Sequence, residues 1–148
     1  MNVKYITTRP ELEAALAELW TIPKLCADFE TTGLDARVHE PRLLQLCTTQ
    51  EDVEDRTIYV IDFFKCKDTD GLKALIESRS MLLFHNANFD LQFFLKLGID
   101  YKKKIFDTFI AERCLRAGFK EKKVSPKTEK VFFGDVSCSL KAVVERRL

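Results

Sequence analysis

The stretch that most constrains this chain is Leu25-Cys-Ala-Asp28-Phe-Glu30-Thr-Thr-Gly33-Leu-Asp35. It begins as an apolar run of strand character and ends in a polar turn. In a strand, residues two apart point to the same face, so Asp28 and Glu30 project together while Phe29 faces the other way. Two neighbouring carboxylates repel unless positive charge lies between them, and a hard divalent cation with oxygen ligands supplies that charge. The plainer alternative is an exposed polar strand end that turns at Thr31-Thr32-Gly33.

A second stretch, Leu82-Leu-Phe-His85-Asn86-Ala-Asn-Phe-Asp90, runs from a buried strand through a polar turn into a helix. Asp90 falls in the first turn, where the helix dipole favours a carboxylate. Asn86, at the strand end, either holds the turn or hydrogen-bonds a ligand. The remaining pattern predicts a short strand at 3–6, then a helix opened by the capping box Thr8-Arg-Pro-Glu11 and stopped by Pro23. Strands are expected at 43–47, 57–61 and 81–85, with a brief extended piece at Ile105-Phe106. Helices are expected at 70–79, 89–97, about 107–116 and from Ser139 to the end. Lys120–Lys130, Lys-rich and interrupted by Pro126, is read as an exposed loop. Consecutive strands followed by helix–strand alternation predict an α/β fold: an antiparallel three-strand meander extended by parallel strands and flanked by helices.

A chain of 148 residues suits a single domain. Its 46% apolar and 32% charged content excludes disordered, collagenous and disulfide-scaffold classes. The N-terminus has no signal-peptide core and no apolar run approaches a membrane span, so a cytoplasmic protein without membrane association is expected. Five widely spaced cysteines and two histidines, with no C-x-x-C pair, argue against a zinc site and for reduced structural thiols. The net charge of +1 conceals an asymmetry: residues 1–74 carry nine basic against fourteen acidic side chains, and residues 75–148 fifteen against nine. Either these are ordinary solvated faces, or a carboxylate-lined site lies beside a surface that holds a polyanion.

Together the two carboxylate stretches resemble the first two motifs of the DEDD family of 3′–5′ exonucleases, in particular the proofreading domain of bacterial family-A DNA polymerases, with ribonuclease D as a relative. Asp28-Phe-Glu30-Thr-Thr-Gly-Leu is similar to the first motif and His85-Asn86-Ala-Asn-Phe89-Asp90 to the second. Arg42-Leu-Leu-Gln45-Leu, Phe106-Asp107-Thr108 and Ser139-Leu-Lys-Ala-Val-Val-Glu-Arg follow the family's intervening segments in order. The likeness spans about residues 22–148 and implies a ribonuclease-H-like mixed sheet.

The resemblance further implies phosphodiester hydrolysis with two metal ions, Mg²⁺ or Mn²⁺. Asp28 would bridge both, Glu30 would ligate the ion that activates water, and Asp90 would hold the second. Thr31 and Asn86 would help seat the 3′-terminal nucleotide, with Leu34 near its base. His85 would take a supporting position. Asp107 starts a helix, so it is either an N-cap or a member of the site. The family's fourth carboxylate lies in a Tyr-x-x-x-Asp or His-x-x-x-x-Asp motif on a later helix. No Tyr-x-x-x-Asp occurs here; His85-Asn-Ala-Asn-Phe-Asp90 also fits the histidine form, the third motif of a sister group, but its place directly after a buried strand fits the second motif better. The domain is therefore expected to lack that helix, to be truncated at its C-terminus and to be impaired in activity. Glu145 is a conceivable substitute ligand. The implied partners are nucleic acid, a DNA 3′ end or RNA, and a polymerase domain or separate polymerase chain. Two other functions remain open: a catalytically inactive nucleic-acid-binding module that uses Lys102–Lys104 and the lysines of 120–130 on phosphates, and a ribonuclease-D-like RNA trimmer.

Overall fold

A computed structural model describes residues 1–147; Leu148, the last residue of the expected C-terminal segment, lies outside the described residues. Contacts divide the chain into two compact units, 1–106 and 107–148.

The first unit contains β1 (Asn2–Ile6), α1 (Arg9–Leu19), β2 (Lys24–Thr31), β3 (Pro41–Thr48), β4 (Thr57–Asp62), α2 (Leu72–Ser78), β5 (Met81–Phe84), α3 (Ala87–Lys96) and β6 (Lys104–Asp107), the last running into the second unit. The six strands form one sheet in the order β1-β4-β3-β2-β5-β6. β2, β3 and β4 make the expected antiparallel meander. β1 adds parallel to β4 at one side and β5 parallel to β2 at the other. This is the mixed α/β architecture that the strand order predicts.

Period-two alternation sorts the sheet into unlike faces. Leu25, Ala27 and Phe29 of β2, Leu44 and Leu46 of β3, and Tyr59 and Ile61 of β4 are buried together. α3 supplies their cover because Ala87, Asp90, Phe93 and Phe94 recur at helical spacing on one stripe, all buried. The Phe29 ring lies 4.9 Å from Phe94, edge-on, 6.0 Å from Phe93 and 6.2 Å from Phe63, an arrangement aromatic quadrupoles favour. This cluster fixes the end of β2 on which both carboxylates sit.

α1 opens as expected: the Glu11 carboxylate accepts from the Thr7 and Thr8 amides at 2.8 and 3.0 Å. Its C-terminal carbonyls are satisfied by a residue far along the chain. The buried Arg79 guanidinium donates to the carbonyls of Leu19, Trp20 and Ile22, and also to that of Leu75. That explains how an arginine is accommodated in the interior, since each donor meets an oxygen.

The second unit holds α4 (Thr108–Leu115), β7 (Lys120–Val124), β8 (Val131–Asp135) and α5 (Leu140–Arg147). Lys120–Lys130, expected as a loop, is instead the first strand and turn of an antiparallel hairpin. The reading was misled by composition: cross-strand partners Phe132 and Phe133, beyond the Lys-rich segment, supply the β-forming side chains that it lacks. The exposure expected there is found. α4 and α5 are tied through the buried Glu112, whose carboxylate accepts from Arg116, Arg146 and Arg147 at 3.1, 2.9 and 3.1 Å. Those bonds, first from Arg116 and Arg147, hold Glu112 at a pKa of about 2 against the opposing effect of burial. All five cysteines are unpaired thiols. Among the described residues no helix is long and apolar enough to cross a membrane.

Candidate active site

The site lies on the sheet face opposite the core cluster of the first unit. Asp28 and Glu30 occupy alternate positions near the end of β2, both exposed, with Phe29 buried between them. Leu43 stands opposite Glu30 and Gln45 opposite Asp28 on β3. Although Asp28 reaches solvent, the protein around its carboxyl raises its pKa by desolvation, and the charge of Glu30 raises it further. His85 acts in the opposite sense, favouring the ionised form. The pair is therefore short of positive charge, as two adjacent carboxylates predict.

Asp90 does more than complement a helix dipole. It is 2% exposed, and its Oδ1 accepts the Phe29 backbone N–H at 2.9 Å. The parallel pairing of β5 with β2 ends at Cys26 and Leu83, and the Asp90 carboxylate takes up an amide farther along the same strand. It thereby fixes the backbone midway between the Asp28 and Glu30 side chains. Sequence spacing alone places Asp90 on a helix start, and only the packing of α3 against β2 places it here.

Around these groups, Asn86 occupies the N-cap position of α3 in the left-handed region (φ 72°), a conformation asparagine tolerates better than most residues. It is exposed, and His85 beside it is half-buried. A register shift between Glu30 and Thr31 ends regular pairing, and the Thr31 hydroxyl donates to the Gly33 carbonyl at 2.6 Å. A Cβ at Gly33 would meet the His39 ring at 2.3 Å, so this turn requires glycine. The turn is closed by the Thr32 amide on the Glu40 carbonyl (3.0 Å) and the Glu40 amide on the Thr32 hydroxyl (2.9 Å). Leu34 projects from it, 84% exposed.

Asp107, of the second unit, is the N-cap of α4: its Oδ1 accepts from the Phe109 and Ile110 amides at 2.9 and 3.4 Å. Among the described residues no group of three or more His, Cys, Asp or Glu side chains is arranged to hold a metal ion. Asp28 and Glu30 are thus brought together as a charge-coupled pair, with Asp90 bound to the strand that carries them.

Sequence reading missed one group at the same end of the sheet. Asp62, buried at the end of β4, accepts from the Tyr5 hydroxyl, the Arg42 guanidinium and the Phe64 amide, the last at 2.9 Å. Burial raises its pKa, but these hydrogen bonds prevail and hold it below the usual carboxylate range. Its side-chain partners lie 57 and 20 positions away in the chain, so only strand register could have found it.

Both the fold and the motif positions agree with the sequence of a known class. A family model described as 3′–5′ exonuclease matches residues 3–146, and the chain belongs to that family, within the DEDD group. It is 33% identical over 115 residues to DNA polymerase I of Aquifex aeolicus, a match that covers 78% of this chain and 18% of that protein. Solved structures with a similar fold include RNase D of Escherichia coli, described as an exoribonuclease involved in structured RNA processing. Its TM-score is 0.62 at 24% identity, over 76% of this chain and 28% of that one. NrnC of Brucella melitensis with bound Mg²⁺ gives a TM-score of 0.66 at 19% identity, over 99% of this chain and 62% of that one. The fold is ribonuclease-H-like.

Proposed function

We propose that this chain removes nucleotides from the 3′ end of DNA, with Asp28, Glu30 and Asp90 as its acidic centre. The observation that carries this reading is the Asp28–Glu30 pair on one face of β2, joined to Asp90 through the Phe29 amide. The donor set fits a hard divalent cation: two carboxylate side chains on one face, one of them with a pKa raised by burial and by its neighbour's charge. Asp28 and Glu30, with Asp90 beside them, would be the residues that hold Mg²⁺ or Mn²⁺. Bound ions would activate a water and offset charge on the phosphate. The chain's own residues do the positioning. Asp90 fixes the strand on which the ligands sit, and the closed turn at residues 32–40 presents Leu34 toward solvent, where a terminal base can lie against it. Asn86, exposed at the start of α3, and the backbone near Thr31 offer hydrogen bonds to the 3′-terminal sugar. His85 supports Asp28 electrostatically, and Asp107 serves α4 as its cap.

These 148 residues supply no Tyr-x-x-x-Asp, so by itself this chain turns over slowly. A polymerase domain or a separate polymerase chain is the partner suggested by the likeness to DNA polymerase I. The test is Mg²⁺-dependent release of 3′-terminal nucleotides from 5′-labelled DNA and RNA oligonucleotides. Weak release, greater on DNA and lost in both Asp28→Ala and Glu30→Ala, is expected. Robust digestion that Asp28→Ala abolishes would overturn the impairment and direct attention to Glu145. Digestion indifferent to both substitutions would remove the acidic centre itself, and preference for RNA would replace the DNA substrate.

A further inference from the structure

The group around Asp62 suggests a second contact for the substrate. Register aligns Glu30 of β2 with Leu43 of β3, and Leu43 with Asp62 of β4. Asp62 therefore lies at the same end of the sheet as the acidic centre, two strands away, or about 10 Å at ~4.8 Å per strand. Side-chain alternation places Tyr5, Asp62 and Glu30 on one face.

What surrounds Asp62 is a set of rings and cations in fixed positions. The Phe64 amide on the Asp62 carboxylate (2.9 Å) and the Cys66 amide on the Asp62 carbonyl (2.8 Å) lock the turn after β4. The Tyr5 hydroxyl is bound to the same carboxylate, so neither ring is free to choose its place. Both are nonetheless about half exposed, Tyr5 at 47% and Phe64 at 46%. The Arg42 guanidinium lies 4.5 Å and the Lys67 ammonium 5.5 Å from the Phe64 ring centre, and Lys65 5.3 Å from that of Tyr5. Asp62 neutralises Arg42, whereas Lys65 and Lys67 enter no ion pair among the described residues. Exposed rings with unpaired ammonium groups beside them suit a strand of bases and phosphates, through stacking and charge, without sequence preference.

We propose that Tyr5, Phe64, Lys65 and Lys67 form a platform for single-stranded nucleic acid upstream of the 3′ end. At ~3.4 Å per stacked nucleotide, the separation from the acidic centre corresponds to about three nucleotides. The platform thus engages the fourth nucleotide and those beyond it. The proposal rests on the exonuclease reading above, because that reading places the 3′ terminus at Glu30.

The test compares oligo-dT of three and twelve nucleotides by competition binding across a salt series. Three variants are used: Phe64→Ala/Lys65→Ala/Lys67→Ala, the reversal Lys65→Glu/Lys67→Glu that keeps the ring, and a control, Lys24→Ala/Lys73→Ala, at the start of β2 and on α2. Both platform variants should bind the twelve-mer at least about tenfold more weakly. The salt slope should fall by about 1.4, at ~0.7 per single-strand phosphate contact. The trimer and the control should match wild type. Twelve-mer affinity retained by both platform variants overturns the platform alone. An equal loss for the trimer, or an equal loss in the control, overturns it as well, since the effect is then structural or nonspecific charge. Wild-type protein that binds neither oligonucleotide overturns the exonuclease reading and the platform with it.

Discussion

The two faces of the six-stranded sheet are made by the same strands and serve unlike ends. On one, Leu25, Ala27, Phe29, Leu44, Leu46, Tyr59 and Ile61 are all buried. On the other, Cys26, Leu43, Gln45, Cys47, Ile58 and Val60 are only half-buried around the exposed Asp28 and Glu30. An α/β sheet usually covers both faces. Here the covered face holds the strands in place, and the open one presents charge that burial would penalise. Alternation along β2 lets neighbouring residues answer to opposite demands without compromise.

Truncation should expose this division most strongly. Leu44→Ala, within the covered face, should cost about 2–5 kcal/mol in urea unfolding. Val60→Ala, one strand over on the open face, should cost under about 1 kcal/mol. Equal costs would break the distinction between faces. A finer comparison sets Asp90 against Asp28. Asp90→Ala leaves the Phe29 amide without its acceptor and should destabilise by about 1–3 kcal/mol. Asp28→Asn removes a charge that its surroundings disfavour and should leave the thermal midpoint unchanged or slightly raised. A marked fall for Asp28→Asn would mean that the open face also carries stability.

A further comparison belongs to the second unit, where the buried Glu112 carboxylate is held by three arginines. Glu112 has a folded pKa of about 2, depressed from 4.5. Between those values the unfolded chain binds more protons, so the stabilisation is complete above about pH 4.5 and is lost as pH falls toward 2. Hydrogen exchange of the α5 amides should accelerate over that interval, and Glu112→Gln should flatten the change. Protection independent of pH in the wild type would show that the arginine contacts do not hold α5.

Much of this division is legible in the sequence, because period-two alternation through Asp28, Phe29 and Glu30 is a local property. The strand order and the capping role open to Asp107 are local in the same sense. Asp90 was legible as a helix-start carboxylate but not as the acceptor of the Phe29 amide, 61 positions away. The Asp62 group escaped because Tyr5, Arg42 and Phe64 meet only through the register of three strands. The β7–β8 hairpin escaped because its first strand borrows its aromatic partners from its second.

The position of β1 bears on how the protein is born. Its five residues leave the ribosome well before Thr57–Ile61, their strand partner among the described residues, and the carbonyls at the end of α1 wait for Arg79. At about 5–20 residues per second, some 75 further residues take roughly 4–15 s to follow. During most of that interval β1 lacks the strand with which it pairs. The β2–β3–β4 meander, built from consecutive strands, can assemble first, and β1 is then added to its edge.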